Sequence, residues 1–115
     1  MPASINVSGL FMYQRWTYGK TLSGLPMTIL TVTACKNIGK PYKRREAIVI
    51  SSRVHPGETN SSFVFQGLLE MLTGNDVNVQ SLRENFVFYL MPCLNPDGVV
   101  RGNYRSSFAG VDLNR

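Results

Sequence analysis

The sequence predicts a mixed α/β fold, and three segments in the middle of the chain carry this prediction. Residues 47–52 (AIVISS) and 86–91 (FVFYLM) are short apolar runs of the kind that form buried strands. Between them, apolar side chains recur at the spacing of one helix face, at Phe65, Leu68, Leu69 and Leu72. Strand, helix and strand in this order predict a mixed sheet with a helix packed against it.

The composition suits one globular domain. The chain has 115 residues, of which 43% are hydrophobic and 17% are charged, so it can form a core and does not resemble a disordered tail. Its net charge of +5 favours acidic partners. His55 is the single histidine, so chemistry that needs two imidazoles cannot be completed by this sequence alone.

The cysteine content and the apolar runs bear on the cellular compartment. Cys35 and Cys93 are too few for a disulfide framework. The apolar runs fall far short of the ~20 residues of a membrane span, and the first residues do not resemble a secretory signal. We therefore expect residence in the cytosol or the nucleus.

The segment before residue 47 is expected to pair with the strand that follows it. Residues 27–34 (MTILTVTA) are rich in β-branched side chains and predict a strand, and residues 37–41 predict a turn. The two strands on either side of this turn would form a hairpin. The charge run at residues 43–46 (KRRE) has two interpretations, a nucleic-acid or targeting patch and a solvated hairpin loop, and the loop is favoured.

Polar residues and glycines predict where the helices begin and end. The central helix is predicted over residues 59–73, with Gly74 directly after it. Three neighbouring side chains offer N-cap oxygens: Thr59, Asn60 and Ser61. Residues 76–84 are compatible with a second short helix. From Asn95 onward, prolines and glycines interrupt every regular pattern, so this last part of the chain is predicted to be loop.

A histidine and a glutamate lie three positions apart directly after the strand at residues 47–52. Loops at the carboxyl ends of strands are the usual ligand sites of α/β sheets. His55 and Glu58 can converge on one cation across the turn that Pro56 and Gly57 set, and a nitrogen with an oxygen ligand suits Zn²⁺. Because a lone histidine is also common as a structural residue, this pair by itself leaves both roles open.

The last part of the chain concentrates arginine and amide side chains among glycines. Arg105 ends the segment GNYR, and Asn114 and Arg115 end the segment GVDLNR. A guanidinium matches a carboxylate and stabilises a developing oxyanion, and an amide beside it can share a terminal carboxylate. Asp97, in the segment NPDG, is expected only to cap a turn, and Arg101 is expected to be a solvated surface charge.

Together these motifs resemble the zinc metallocarboxypeptidase family. The segments RVHPGETNSS (residues 53–62) and GNYR are similar to its cytosolic branch, the tubulin-processing carboxypeptidases. The resemblance covers residues 47–115. It implies a partial mixed-sheet zinc carboxypeptidase fold, an incomplete α/β/α domain. Residues 1–45 would supply N-terminal strands and a turn, and residues 46–115 the N-terminal part of the catalytic domain, truncated after Arg115.

The resemblance also implies a chemistry. His55 and Glu58 match the first two zinc ligands of the family. Arg105 matches the arginine that polarises the scissile carbonyl and stabilises the oxyanion. Asn114 and Arg115 match the pair that holds the C-terminal carboxylate of the substrate. The family mechanism is zinc-promoted attack of water on the last peptide bond, with a glutamate as general base. In the cytosolic branch the substrates are glutamate-rich protein tails, tubulin above all.

The sequence departs from this family in two respects. The third zinc ligand of the family is a histidine downstream of the Asn-Arg pair, and the general-base glutamate lies later still. Glu70, on the predicted helix, and Glu84, before a strand, are not convincing substitutes for that base. We therefore expect an N-terminal part of a catalytic domain that does not hydrolyse peptides alone. We also expect residues 1–115 in isolation to be poorly soluble or to need a partner, because the two buried strands would lack neighbours.

Two other functions stay open at this point. A non-catalytic module would keep Arg105, Asn114 and Arg115 to bind acidic C-terminal tails without zinc. Amidohydrolases that deacylate amino acids also use a His-x-x-Glu pair, although the segments NPDG and GNYR favour the carboxypeptidases.

Overall fold

A single mixed sheet organises the computed structural model, which describes residues 3–7 and 11–115. Within the described residues the sheet has five strands: β1 (Ala3–Val7), β2 (Phe11–Lys20), β3 (Pro26–Ala34), β4 (Glu46–Ser51) and β5 (Phe86–Met91). Their order across the sheet is β1-β2-β3-β5-β4. Only β4 and β5 pair in parallel, and the other neighbours are antiparallel. Residues 1, 2 and 8–10, which belong to the predicted N-terminal segment, lie outside the described residues.

Two helices connect the parallel strands and confirm the predicted α/β class. They are α1 (Thr59–Leu72) and α2 (Val77–Asn85). The predicted helix stripe is also confirmed, because Phe65 and Leu72 are buried and Leu68 and Leu69 pack against the core. The core joins α1 to the two central strands and consists of Leu30, Val32, Phe65, Leu72, Phe88 and Leu90. No helix in the described part of the chain has the length and apolar character needed to span a membrane.

The predicted hairpin between β3 and β4 is wrong. The strand β5 lies between them and pairs with both, through Leu30 on one side and Ile50 on the other at its residue Leu90. The structure instead forms a hairpin from β2 and β3, which pair along most of their length. The reason is that β5 is more buried than β4 and pairs with a neighbour on each side. The connection after β3 therefore crosses β5 and leads to β4 at the edge of the sheet.

The prediction that β4 is a buried strand is also wrong. It is the edge strand of the described sheet, and Val49 in its middle is 60% exposed. A continuous apolar run reports side-chain type and not the number of neighbouring strands, so the pattern alone could not distinguish an edge from a centre. The strand β5, by contrast, has a neighbour on each side. The expected poor solubility of the isolated chain stays a prediction, and it concerns the free edge of β4.

The charge run at residues 43–46 is solvated at three of its four residues, as predicted, but it does not belong to a hairpin, because β3 and β4 are not neighbours in the sheet. A single 3₁₀ turn, Tyr42–Arg44, lies within the connection between β3 and β4. Lys43 and Arg44 are exposed, whereas Arg45 is buried and donates hydrogen bonds to carbonyl groups of the same connection. The buried guanidinium therefore orders this connection from the inside.

The predicted end of α1 agrees with the structure, whereas its predicted N-cap residues do not. The N-cap position of α1 is Glu58 and makes no side-chain cap hydrogen bond, so the three predicted N-cap side chains do not serve this role. Ser61 instead donates its hydroxyl to the carbonyl of Glu58, at 2.7 Å. Gly74 follows the C-cap residue of α1, as predicted. The second helix is confirmed, and the carboxylate of Asp76 caps it by accepting from Asn78 and Val79.

The loop predicted after Asn95 begins with a short helix, α3 (Pro96–Arg101). Asn95 caps it, Pro96 occupies its first turn and Gly102 ends it with a φ of 73°. These are helix-boundary signals that the density of prolines and glycines concealed. Beyond α3 the chain forms turns and irregular structure, as predicted.

Asp97 does not merely cap a turn. Its carboxylate accepts hydrogen bonds from the Thr21 hydroxyl (2.6 Å) and from the backbone and hydroxyl of Ser23. Burial raises the pKa of Asp97, but the hydrogen bonds from Ser23 and Thr21 outweigh it and leave that pKa below its ordinary value. Asp97 thus ties α3 to the turn between β2 and β3. Arg101 is exposed, as predicted, and its guanidinium lies 4.0 Å from the ring centroid of Phe108.

Candidate metal centre and arginine loop

The turn that follows β4 carries the predicted metal ligands. Residues 53–58, the metal turn, connect the carboxyl end of β4 to α1. Arg53 adopts a φ of 57°, a conformation that is uncommon for a residue other than glycine. Its Nε donates to the carbonyl of Pro56 and its Nη1 to the hydroxyl of Ser62, each at 2.8 Å. The Arg53 guanidinium therefore spans the turn and stabilises it, a role that the sequence analysis did not assign.

His55 and Glu58 converge across this turn. Nδ1 of His55 lies 3.2 Å from Oε1 of Glu58, and the carboxylate of Glu58 is half exposed while the imidazole is buried. When two ligand atoms each lie about 2.0–2.2 Å from one tetrahedral zinc ion, the distance between the two atoms is about 3.4 Å. The observed separation fits this requirement. The donor set, one imidazole nitrogen and one carboxylate oxygen, also suits zinc.

A third residue, Asp112, binds the other side of the imidazole. Its Oδ1 lies 3.0 Å from Nε2 of His55, and its Oδ2 accepts from Nε of Arg105 at 2.5 Å. Metal-bound histidines commonly donate their second N–H to a carboxylate, which fixes the tautomer and the orientation of the ring. Asp112 was not among the site residues predicted from the sequence. The only sequence signal for Asp112 was that it lies two residues before Asn114. This signal was weak, because the residue that Asp112 contacts, His55, is 57 positions earlier in the chain.

Asp112 is held as a carboxylate by its surroundings. The backbone N–H of Asn114 donates to it at 2.9 Å and lowers the pKa of the Asp112 carboxyl. Partial burial raises this pKa, but His55 and Arg105 lower it again, so the pKa lies well below its usual range. A charged Asp112 therefore joins the imidazole to the guanidinium of Arg105 at neutral pH.

The structure brings Arg105 beside the metal turn and places Asn114 and Arg115 next to it. The Arg105 side chain is 43% exposed, and within residues 11–115 neither of its Nη atoms has a hydrogen-bond partner. Asn114 and Arg115 are both exposed. Their backbone is tied to Asp112 through the Asn114 N–H and through the Arg115 N–H, which donates to the Asp112 carbonyl. Asp112 thus contacts the Arg105 side chain and the backbone of Asn114 and Arg115, while the Arg115 guanidinium donates to the Asn114 carbonyl.

The described residues supply two candidate zinc ligands and not three. No group of three or more histidine, cysteine, aspartate or glutamate side chains in this part of the chain can hold one metal ion. Asp112 cannot be the third ligand in this arrangement, because it lies at the opposite ring nitrogen of His55 from Glu58. Catalytic zinc sites usually keep three protein ligands, so this site is incomplete by one.

The metal turn packs tightly against the arginine loop, which we define as residues 102–107. The Gly57 N–H donates to the Tyr104 carbonyl at 2.7 Å. A Cβ added at Gly57 would lie 2.4 Å from Cδ2 and 2.8 Å from the carbonyl oxygen of Tyr104. This contact leaves no room for any side chain larger than hydrogen at position 57.

We expect Gly57→Ala to lower the free energy of unfolding by about 1–3 kcal/mol, because the added methyl group must separate the two segments. The matched control is Gly67→Ala, at a position in α1 where an added Cβ meets nothing within 4 Å. That change should raise stability by about 0.5–1 kcal/mol, since alanine favours a helix over glycine. Urea unfolding measures both values, and equal effects of the two substitutions would contradict the close contact.

Known proteins share both sequence and fold with this chain. The zinc carboxypeptidase family model matches residues 12–115. Cytosolic carboxypeptidase 2 of Danio rerio is 49% identical over 96 residues, which are 84% of this chain and 13% of that protein. Cytosolic carboxypeptidase 4 of Homo sapiens is 42% identical over 117 residues, which cover 97% of this chain and 10% of that protein. The crystal structure of a metallo-carboxypeptidase from Burkholderia cenocepacia superimposes with a TM-score of 0.79 at 33% identity, covering 89% of this chain and 27% of that one.

The chain therefore spans a small part of each of these three proteins. The matched part contains the metal turn, the arginine loop and the strands β3, β4 and β5. The predicted resemblance is confirmed, since the family model covers most of the sequence and the relatives are named cytosolic carboxypeptidases. This chain belongs to the zinc carboxypeptidase family.

Proposed function

We propose that this chain supplies two zinc ligands and the substrate-binding arginines of a carboxypeptidase that removes C-terminal glutamates from protein tails. The observation that supports this proposal most directly is the placement of His55 and Glu58 at 3.2 Å, joined through Asp112 to Arg105. Tubulin tails are the substrates we expect, and the cytosol is the expected compartment. The net charge of +5 suits such acidic tails.

In this proposal His55 and Glu58 hold the zinc ion. When bound, the ion would polarise the scissile carbonyl and lower the pKa of a bound water. Asp112 accepts the Nε2 proton of His55 and keeps the ring in the orientation that leaves Nδ1 for the metal. The nearby Arg105 is positioned by the same carboxylate through its Nε, which leaves its two Nη groups directed away from that contact.

Recognition of the substrate falls to the exposed groups beside this centre. Arg105 would donate to the carbonyl oxygen of the last peptide bond as negative charge develops on it. Asn114 and Arg115 would hold the terminal carboxylate, with an amide donor and an ion pair on the two oxygens. Such a grip on the chain end selects the last peptide bond over internal ones.

The 115-residue chain is expected to be inactive alone. The third zinc ligand and a general base are both needed, and neither Glu70 nor Glu84 lies near the metal turn. Glu70 accepts from Gln66 in the last part of α1, about 17 Å along the helix axis from its start. Glu84, at the end of α2, contacts Gly39 in the connection between β3 and β4.

A chimera tests this function. The matching segment of cytosolic carboxypeptidase 2 of Danio rerio is replaced by the aligned residues of this chain, and glutamate release is measured on a peptide that ends in glutamates. We expect release that stops with a chelator and returns with added zinc. The 115-residue chain and the unmodified relative are the two controls. Hydrolysis that persists in the chelator, in a chimera free of metal, would contradict the proposal.

A second function, a non-catalytic module for acidic C-terminal tails, is favoured by one observation. The described residues hold two zinc ligands while Arg105 and Arg115 remain exposed and able to bind an anion. This module predicts that the 115-residue chain binds a glutamate-ending peptide in the presence of chelator, weakened by salt and lost with Arg115→Ala. Peptide binding without zinc, together with an inactive chimera, would favour this function over the enzyme.

A further inference from the structure

A buried amide contacts both of the segments that form the candidate site. The Asn95 residue is 2% exposed. Its Nδ2 donates to the carbonyl of Val54, in the metal turn, and to the carbonyl of Ser106, in the arginine loop, each at 3.2 Å. Val54 precedes His55 and Ser106 follows Arg105. One amide group therefore bridges the residues beside the candidate ligand and beside the candidate oxyanion donor.

Neighbouring contacts show that this bridge lies at a three-way junction. The Asn95 N–H donates to the carbonyl of Arg53, so both the backbone and the side chain of Asn95 bind the metal turn. A Cβ added at Gly98 would lie 2.4 Å from Cγ of Pro56, 2.6 Å from the Ser106 carbonyl oxygen and 2.9 Å from Nδ2 of Asn95. The metal turn, the start of α3 and the arginine loop thus meet with no free space between them.

We propose that Asn95 is a positioning residue that sets the distance between the metal turn and the arginine loop. Its importance for catalysis rests on the proposed function, whereas the bridge itself does not. Within the described part of the chain, no hydrogen bond joins Asn95 to a candidate zinc ligand or to a candidate substrate-binding side chain, so it acts through Val54 and Ser106.

The chemistry of the amide explains why asparagine stands at this position. Its Nδ2 carries two hydrogens, one for each carbonyl, and its Oδ1 accepts from the Gly98 N–H at 3.0 Å and caps α3. Aspartate and serine can both supply the capping oxygen. Neither can donate to two carbonyls at once, so these residues separate the capping role from the bridging role.

The test uses the 115-residue chain and the substitution Asn95→Ser, which keeps a helix cap and removes the bridge. The readout is amide hydrogen exchange of Gly57, whose N–H donates to the Tyr104 carbonyl and makes no contact with Asn95. We expect Gly57 to exchange at least tenfold faster, while Gly98 keeps its protection. Unchanged protection of Gly57 would overturn the proposal, because a residue that only caps α3 would affect Gly98 alone.

The control is Asn85→Ser, which removes an amide that donates to the Ser81 carbonyl at the end of α2. It should leave the exchange of Gly57 unchanged. If Asn95→Ser fails to fold, the unmodified chain provides the second measurement, since both Nδ2 protons of Asn95 should exchange slowly. Rapid exchange of either proton would overturn the bridge.

The chimera links this bridge to catalysis. There, Asn95→Ser should lower kcat/KM about tenfold while the zinc content is retained, because a small displacement of Arg105 from the metal turn weakens stabilisation of the transition state. Parental activity in this variant would overturn the positioning role. Since the exchange experiment involves neither zinc nor peptide, it can fail or succeed independently of the proposed carboxypeptidase function.

Discussion

The substitution Arg105→Ala in the chimera should lower kcat/KM for glutamate release by about two to three orders of magnitude, the usual loss when one oxyanion-binding donor is removed. The reason lies in how Arg105 is held. Asp112 binds Nε at 2.5 Å and fixes the plane of the guanidinium, and the two Nη groups have no partner in the described chain. These groups are free to bind a carbonyl oxygen that gains negative charge. Steady-state kinetics with a glutamate-ending peptide measures the loss.

The matched control is Arg101→Ala, which removes the same side chain four positions earlier. Arg101 donates to the carbonyl of Phe108 and stacks on its ring, and among the described residues no hydrogen bond joins it to the metal turn. We expect this variant to stay within about threefold of the parent, because an exposed cation contributes little. Arg105→Lys should recover only part of the activity, since an ammonium lacks the fork that Asp112 holds. An equal loss in Arg101→Ala and Arg105→Ala would contradict the proposed role.

Replacement of Arg45 by alanine should destabilise the chain by about 3–5 kcal/mol, the largest effect we expect on folding. The Arg45 residue is 7% exposed, and its guanidinium donates to five acceptors: the carbonyl groups of Ala34, Cys35, Ile38 and Lys40 and the hydroxyl of Thr33. Removing it takes a donor from the buried Ala34 carbonyl and Thr33 hydroxyl and from three partly buried carbonyl groups. Since a small domain has a total stability of about 5–15 kcal/mol, the variant should be only marginally folded.

The neighbouring Arg44 provides the control for this prediction. It is exposed, and Arg44→Ala removes the same charge from the same connection. We expect its free energy of unfolding to stay within about 0.5 kcal/mol of the unchanged chain. Urea unfolding followed by circular dichroism measures both variants. Similar losses for the two arginines would show that net charge, and not the hydrogen bonds of Arg45, stabilises the connection between β3 and β4.

The candidate site was predicted from sequence to the extent that it depends on short motifs. The His-x-x-Glu spacing and the turn between its ends indicate a cation site locally, and the structure brings His55, Glu58 and Arg105 together. The residues that connect them were missed. In the sequence, Asp112 is one polar residue of a predicted loop, and Asn95 belongs to a segment that looks like a turn. The fold brings Asp112 to His55 and Asn95 to Val54. No local pattern distinguishes such residues from ordinary surface groups.

The fold shows the same division. The helix α1, the helix α2 and the strands β3 to β5 could be predicted because each depends on the periodicity and type of residues that are close in sequence. Pairing could not be predicted in the same way. The hairpin expected between β3 and β4 is the simplest connection along the chain, but β5, more than fifty residues after β3, binds both strands and excludes it. Competition between distant partners decides such pairings.

The amino-acid sequence by itself determined which elements form, which family the chain belongs to and which side chains offer a nitrogen and an oxygen donor beside arginine. Only the tertiary structure decided the strand order, the exposure of β4, the burial of Arg45 and the contacts of Asp112 and Asn95. The physical reason is the distance along the chain over which each property is decided. Helix and strand propensity and donor chemistry belong to a residue and its near neighbours, whereas burial and hydrogen-bond partners depend on which distant segment fills the space beside it.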